Sequence, residues 1–192
     1  MATTFGTPDI HPAPPQTATG PRAAIRSLAS TLSALAGELH ENELAPAAAE
    51  ALKPWLGQTG LLHPNQMLGA RRTYRRHVLY ADPLRRFTIL SLVWRTGQHT
   101  PVHGHTAWGA VGVHRGRLET RNYELIHAGG GLLACSETLY CEAVVGDTAW
   151  VAPGLQDIHR LACNAPVGAV SIHVYGRDLS QDPGSINIAL PH

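Results

Sequence analysis

Apolar positions at Ile25, Leu28, Leu32, Leu35 and Leu39 recur every three or four residues, which places them on one face of a helix opened by Pro21. A second, shorter helix is expected over about Glu43–Trp55, with Pro46 in its first turn and Gly57 beyond its end. Ahead of them, Met1–Gly20 is rich in Thr, Pro and Ala, without periodicity, and reads as a disordered tail. After Leu62 the texture changes to short alternating runs broken by Gly, Pro and Asp. Strands are expected near Thr73–Tyr80, Arg86–Arg95, Thr100–His105, Trp108–His114, Leu118–Ile126, Leu132–Leu139, Ala143–Val151, Asp157–Cys163 and Val167–Tyr175. Turn signals fall at Arg95-Thr96-Gly97, Arg115-Gly116, Ala128–Gly131, Val145-Gly146-Asp147 and Ala152-Pro153-Gly154. Many short strands without intervening helices predict an all-β antiparallel barrel or jelly roll behind a short N-terminal helical segment. The expected organisation is a tail over 1–20, helices over 21–62 and a barrel over 63–192.

Composition narrows the partners. The chain has 192 residues, enough for one domain with a substantial core. Its formal net charge of +1 gives no electrostatic reason to expect nucleic acid or an anionic membrane surface. No apolar run approaches the length that spans a bilayer, and Met1–Gly20 lacks the basic start and apolar core of a secretory signal. Cys135, Cys141 and Cys163 are odd in number and lack motif spacing. They read as reduced thiols, small and buried, in a cytoplasmic protein.

The count that stands out is histidine, with 12. In a strand, residues two apart share a face, so His103 and His105 point together, as do Ser171, His173 and Tyr175. Two imidazoles in one string and a hydroxyl–imidazole–phenol row in another suggest a metal site and its supporting groups. Gly97, five residues, His103, one residue, His105, three residues, Gly109, six residues and Gly116 match the first cupin motif in length. The departure is Gly109, where cupins usually place a metal-binding Glu. The second motif is represented by Gly146-Asp147, Pro153-Gly154 and His159, one residue off the usual spacing. His159 is therefore the candidate third ligand with His103 and His105. Three neutral imidazoles suit a divalent first-row metal and leave its charge uncompensated by the protein.

Within that frame, Phe87–Trp94, Gly97–Gly116, Asp157-Ile158-His159-Arg160 and Ser171–Gly176 resemble the cysteine dioxygenase-type thiol dioxygenases. Thr100-Pro101-Val102-His103, His105-Thr106-Ala107-Trp108-Gly109 and Tyr74–Pro83 are most similar to the bacterial 3-mercaptopropionate dioxygenase branch. The resemblance covers roughly Tyr74 to Gly176. It implies a cupin jelly-roll barrel, also called a double-stranded β-helix, that binds Fe(II) through His103, His105 and His159. It further implies addition of both atoms of O₂ to the sulfur of a small thiol, giving a sulfinate. Ser171, His173 and Tyr175 match the family's hydrogen-bonded row, in which the Tyr hydroxyl reaches the substrate. No cysteine lies near Gly109–Ala110, so the thioether crosslink of the mammalian cysteine enzymes is not implied.

Arg76, two residues after Tyr74, stands where the cysteine enzymes carry an Arg for the substrate carboxylate and the mercaptopropionate branch usually carries Gln. A planar guanidinium offers a bidentate fork to a carboxylate. That branch also carries an Arg beyond its final Tyr, and here the residues after Tyr175 hold only Arg177. A 3-mercaptopropionate-like mercapto-acid is the first expectation, with cysteine or mercaptosuccinate as alternatives. Other classes also fit a cupin. An isomerase or ring-opening dioxygenase would usually keep the Glu that Gly109 replaces, and a non-catalytic metal-binding or sensing cupin would show no thiol-dependent oxygen uptake. His99, His114 and His127 read as surface or structural groups, and Trp94 and Trp108 as core or cavity-wall aromatics.

Overall fold

A computed structural model of the chain describes residues 20–127, 133–180 and 186–190. The expected tail, apart from Gly20, and the turn at Ala128–Gly131 lie outside the described residues. The first helix, α1, runs over Pro21–Glu38 and buries Ala24, Ile25, Leu28, Ala29 and Leu32. The second, α2, covers Glu41–Leu52 and continues as a 3-10 turn over Lys53–Trp55. It begins earlier than its apolar pattern suggests. The Glu43 carboxylate accepts the His40 backbone N–H at 3.0 Å, and Glu41 and Glu43 place negative charge on the first turn. Pro46 consequently lies in the second turn, not the first, where it removes one backbone hydrogen bond. Burial of Ala45, Ala48, Ala49 and Leu52 holds the helix there regardless.

Eleven strands follow: β1 Arg75–Ala81, β2 Thr88–Trp94, β3 Gln98–His99, β4 His103–His105, β5 Gly109–Arg115, β6 Arg117–His127, β7 Leu133–Val144, β8 Thr148–Val151, β9 Gly154–Cys163, β10 Ala169–Tyr175 and β11 Asn187–Ala189. They form two antiparallel sheets, one ordered β1-β2-β10-β5-β8 and the other β11-β4-β9-β6-β7, with β3 pairing with β9. Two of the expected strands are divided. Pro101, without an N–H, interrupts the run from Thr100 to His105, so only its last three residues form β4. The run over Ala143–Val151 breaks at a turn in which Asp147 Oδ2 accepts the Val144 N–H at 2.8 Å. β11 escapes the sequence pattern, three residues being too short for periodicity to register.

The first sheet is covered on both faces. Residues of α1 and α2 pack with Ile89, Val93, Val170, Ile172 and Val174 on its outer face, while Leu90, Leu92, Trp94 and Tyr175 join the core inside the barrel. Every residue of β2 and β10 is accordingly buried. Sheet two shows water its outer face: along β6 the buried Leu118, Thr120 and Asn122 alternate with Glu119, Arg121 and Tyr123. Among the cysteines Cys163 is buried, whereas Cys135 and Cys141 on β7 are only half-buried; all three are free thiols. The reading of all three as buried thus holds for Cys163 alone.

Candidate metal centre

β4 and β9 set the three histidines. His103 and His159 are direct cross-strand partners, and His105 is opposite Gly154. Gly104 makes the approach possible: a Cβ there would collide with the Gly154 carbonyl oxygen. The ring centroids of the three imidazoles stand 4.7, 4.8 and 4.9 Å apart, and one nitrogen of each lies within 4.8 Å of the others. All three side chains are buried.

His103 Nδ1 lies 3.0 Å from the Pro101 carbonyl oxygen and His159 Nδ1 lies 3.1 Å from that of Asp157. Each carbonyl accepts a ring N–H, which fixes the tautomer and leaves Nε2 as a lone pair. His105 Nδ1 is buried without a hydrogen-bond partner. Burial holds His103 and His105 below the ordinary imidazole range, and His159 is pushed down to about 3, first by burial and then by His103. The set is therefore neutral in ordinary buffers. Three converging lone pairs in a buried pocket, with an orphaned ring nitrogen among them, suit a divalent cation and leave little else to satisfy them. Among the described residues this is the one such group of metal-ligand side chains.

β10 supplies the second array. Ser171 Oγ lies 2.8 Å from His173 Nε2, and His173 Nδ1 lies 3.0 Å from the Tyr175 hydroxyl. The Tyr175 ring stacks at 6.0 Å from His105, so phenol and ligand histidines share one cavity. Burial, followed by the Arg76 charge, pushes His173 down to about 3. Burial also raises Tyr175 well above the usual phenol range, which keeps it protonated. Gly109 pairs with Tyr175 across the β5–β10 ladder. A Cβ at that position would stand 2.9 Å from two carbons of the Tyr175 ring and 3.2 Å from Val151. The absence of a side chain at Gly109 thus leaves room for the phenol ring.

Arg76 on β1 points into the same cavity, while its neighbour Arg75 is exposed. Its guanidinium donates to the Tyr74 hydroxyl at 2.9 Å and lies 5.0 Å from the centre of that ring. Among the described residues no carboxylate pairs with it, and no acidic side chain lines the cavity. Arg177 lies elsewhere: it is exposed and donates to the Thr106 hydroxyl at 3.2 Å.

Six of the candidates, His103, His105, His159, His173, Tyr175 and Arg76, thus line one cavity, and Ser171 lies behind it in contact with His173. Two further groups escaped the sequence. Asn187 of β11 faces the cavity beside its pairing partner His105, and no motif marks it. Trp94 is core and does not line the cavity, and its indole N–H donates to Ser171 Oγ at 2.9 Å. The i, i+2 relation between Leu92 and Trp94 marks an inward face but not a hydrogen bond. Of the other histidines, His99 is exposed and His114 accepts the Gly57 N–H at 3.3 Å, a structural role. The side chain of His127 lies outside the described residues.

No protein-family model matches the chain. Among solved structures, it is similar to a sugar phosphate isomerase of the cupin superfamily from Silicibacter pomeroyi. That match has 19% identity and a TM-score of 0.38 over 48% of this chain and 51% of that one. An oxalate decarboxylase from Bacillus subtilis gives 13% identity and a TM-score of 0.46 over 64% of this chain and 29% of that one. A hydroquinone 1,2-dioxygenase, solved in complex with Cd²⁺ and 4-hydroxybenzonitrile, gives 14% and 0.43 over 56% of this chain and 66% of that one. The chain therefore spans about half the length of the isomerase and less of the decarboxylase. The fold is an antiparallel β-barrel with a helical segment on one side. Two antiparallel sheets enclose the core, helices cover one of them, and three buried histidines form a possible metal site in the cavity between them.

Proposed function

We propose that this barrel is an iron-dependent thiol dioxygenase that converts a small mercapto-carboxylate to its sulfinate. The observation that carries the reading is the Ser171–His173–Tyr175 row, with its phenol beside His105 and over the glycine at position 109. Iron(II), held by His103, His105 and His159, would supply Lewis acidity toward a thiolate and the redox capacity to activate O₂. The overall change balances without an external reductant: a thiolate and O₂ become a sulfinate, the sulfur losing the electrons that the two oxygens gain.

The remaining work falls to the chain. Arg76, which pairs with no carboxylate among the described residues, offers its fork to the substrate carboxylate and so turns the thiol end toward the histidines. Tyr175 presents a phenol where negative charge develops, held in place by His173, and His173 by Ser171. Leu92 and Leu161 line the cavity and exclude water from the reacting sulfur. The cationic Arg76 and the charge of a divalent metal match a substrate carrying both thiolate and carboxylate. That pairing supports 3-mercaptopropionate, cysteine or mercaptosuccinate over cysteamine, which lacks the carboxylate.

The test is oxygen uptake by protein loaded anaerobically with Fe(II), given each of these four thiols. The expected result is uptake with a carboxylate-bearing thiol, one sulfinate formed per O₂, and little with cysteamine. Protein that binds metal yet shows no thiol-dependent uptake would be a sensing or binding cupin instead.

A further inference from the structure

Two polar groups on facing positions of β4 and β11 are left without partners. Within the three-histidine set, His105 Nδ1 alone is both sealed from solvent and unpartnered, whereas the Nδ1 atoms of His103 and His159 meet backbone carbonyls. Asn187 lies directly opposite His105 in the ladder and lines the same cavity. Its amide makes no hydrogen bond among the described residues. The ladder also fixes how near the two stand. Thr106 N–H donates to the Ile186 carbonyl at 2.8 Å, and Leu190 N–H to that of Val102 at 2.9 Å. Hydrogen-bonded pairs alternate with unbonded ones in an antiparallel ladder, so His105 and Asn187 form a pair of the unbonded kind. Such pairs bring side chains closest, with Cα atoms about 4.5 Å apart. Ile186 is fully buried, which anchors β11 at the residue before Asn187.

We propose that Asn187 is a positioning residue for the metal. Its amide carbonyl accepts the His105 Nδ1–H, turning Nε2 toward the ion that His103 and His159 also hold, and leaves its own NH₂ free. An imidazole that gives its Nε2 lone pair to a metal keeps its proton on Nδ1, and a buried N–H without an acceptor is disfavoured. Ligand histidines generally hand that proton to a carbonyl, a carboxylate or water. Nδ1 is bonded to Cγ and so lies near the backbone, within reach of the facing residue, while Nε2 stands at the far end of the ring. The other non-histidine oxygens on side chains lining the cavity are engaged: Tyr175 with His173, Tyr74 with Arg76 and Thr100 with the Leu161 N–H. Among the described residues Asn187 carries the one side-chain carbonyl in that wall, and rotation about the broad Asn χ2 torsion aims it.

This role rests on the three histidines holding a divalent metal and not on the thiol chemistry, and the experiment separates the two. Full-length protein is titrated with Zn(II) against a chromophoric chelator, and its ¹⁵N-labelled histidines are followed by long-range ¹H–¹⁵N correlation. The wild type is expected to bind zinc through His105 Nε2 and to show a His105 Nδ1–H that exchanges slowly with water. Asn187→Leu keeps the size of the side chain without the carbonyl. It should weaken zinc binding roughly 10–100-fold, the usual cost of losing such a partner. Its His105 Nδ1–H should exchange fast while those of His103 and His159 persist. Asn187→Asp, which restores an acceptor, should restore both readings. Zinc on His105 Nδ1, unchanged affinity in Asn187→Leu, or a His105 Nδ1–H as slow there as in the wild type would overturn this role with the metal site intact. Protein that binds no zinc would overturn the site as well. If Asn187→Leu does not fold, Asn187→Ala repeats the comparison, and the wild-type spectrum still decides which nitrogen holds the zinc.

Discussion

The two sheets of the barrel contribute to the cavity in different ways. The helix-covered sheet brings Ser171, His173 and Tyr175 from a single strand at its centre, paired on both sides in unbroken register from Ser171 to Tyr175, with every residue buried. The half-solvated sheet brings the three histidines from β4 and β9, where the register is irregular. Between His103 and His105 the ladder shifts, and the two residue steps on β4 face the five from Gly154 to His159 on β9. A strand in unbroken register holds a hydrogen-bonded row whose spacing follows from the pleat. An irregular pair near a sheet edge lets three imidazoles turn toward one point. Metal content should therefore depend on the second sheet and turnover on the first.

The largest effect should come from His103→Ala. Removal of one of three imidazoles is expected to bring bound iron, measured by elemental analysis, to background and to abolish sulfinate formation; full iron with full activity would refute both the site and its chemistry. Tyr175→Phe should leave iron binding intact and lower kcat by roughly 10²–10³-fold, the usual cost of losing a preorganised donor to developing charge. Gly109→Ala tests the same point from the neighbouring strand. Its Cβ would press on the phenol ring at 2.9 Å, so it should reproduce the Tyr175→Phe kinetics while iron stays bound. Loss of iron in either variant would mean that the two sheets do not divide the work.

Much of this was legible because a strand converts spacing into direction. His103 and His105, and Ser171, His173 and Tyr175, are each two apart, so the pleat alone places each set on one face. His159 was harder, being one residue off the usual spacing, and it is the β4–β9 pairing that sets it opposite His103. Arg76 could be singled out among its basic neighbours by its step from Tyr74, but only packing distinguishes it from the exposed Arg75. Asn187 could not be read. It lies on a three-residue strand whose place beside His105 is set by tertiary pairing alone. Nor could the Trp94 N–H, since an apolar pattern reports which way an indole faces and not what its nitrogen meets. The early start of α2 is a third case, decided by a capping contact that outranks the apolar periodicity.

Arg76 belongs to the first sheet but acts on binding, which refines the division. Arg76→Gln should raise the KM for a carboxylate-bearing thiol by roughly 10–10²-fold, the range for loss of a hydrogen bond to a charged group, with a smaller change in kcat. Cysteamine offers the control, because its KM should not respond. An unchanged KM for the mercapto-acids would remove Arg76 from substrate binding and leave Asn187 as the next polar group to test.

The smallest effect probes the helical cover on the first sheet. In the turn between β1 and β2, Asp82 is buried and takes Arg86 in a fork, Nε to Oδ2 at 2.8 Å and Nη2 to Oδ1 at 3.0 Å. Arg86 also donates to the Ser33 carbonyl on α1 at 3.3 Å, so the pair ties helix to sheet. The Arg86 hydrogen bond holds the Asp82 carboxyl below its usual range. For a carboxyl lowered by folding, the stabilisation is complete above the unfolded value of about 3.9 and disappears as pH falls through the folded value. Asp82→Asn should therefore lower Tm at pH 7 on the order of 2–4 °C, and the gap from wild type should close on acidification below about pH 4. Iron content and kcat should hardly change. A large loss of kcat would show that the helical cover reaches the row on β10 and is more than a lid over its outer face.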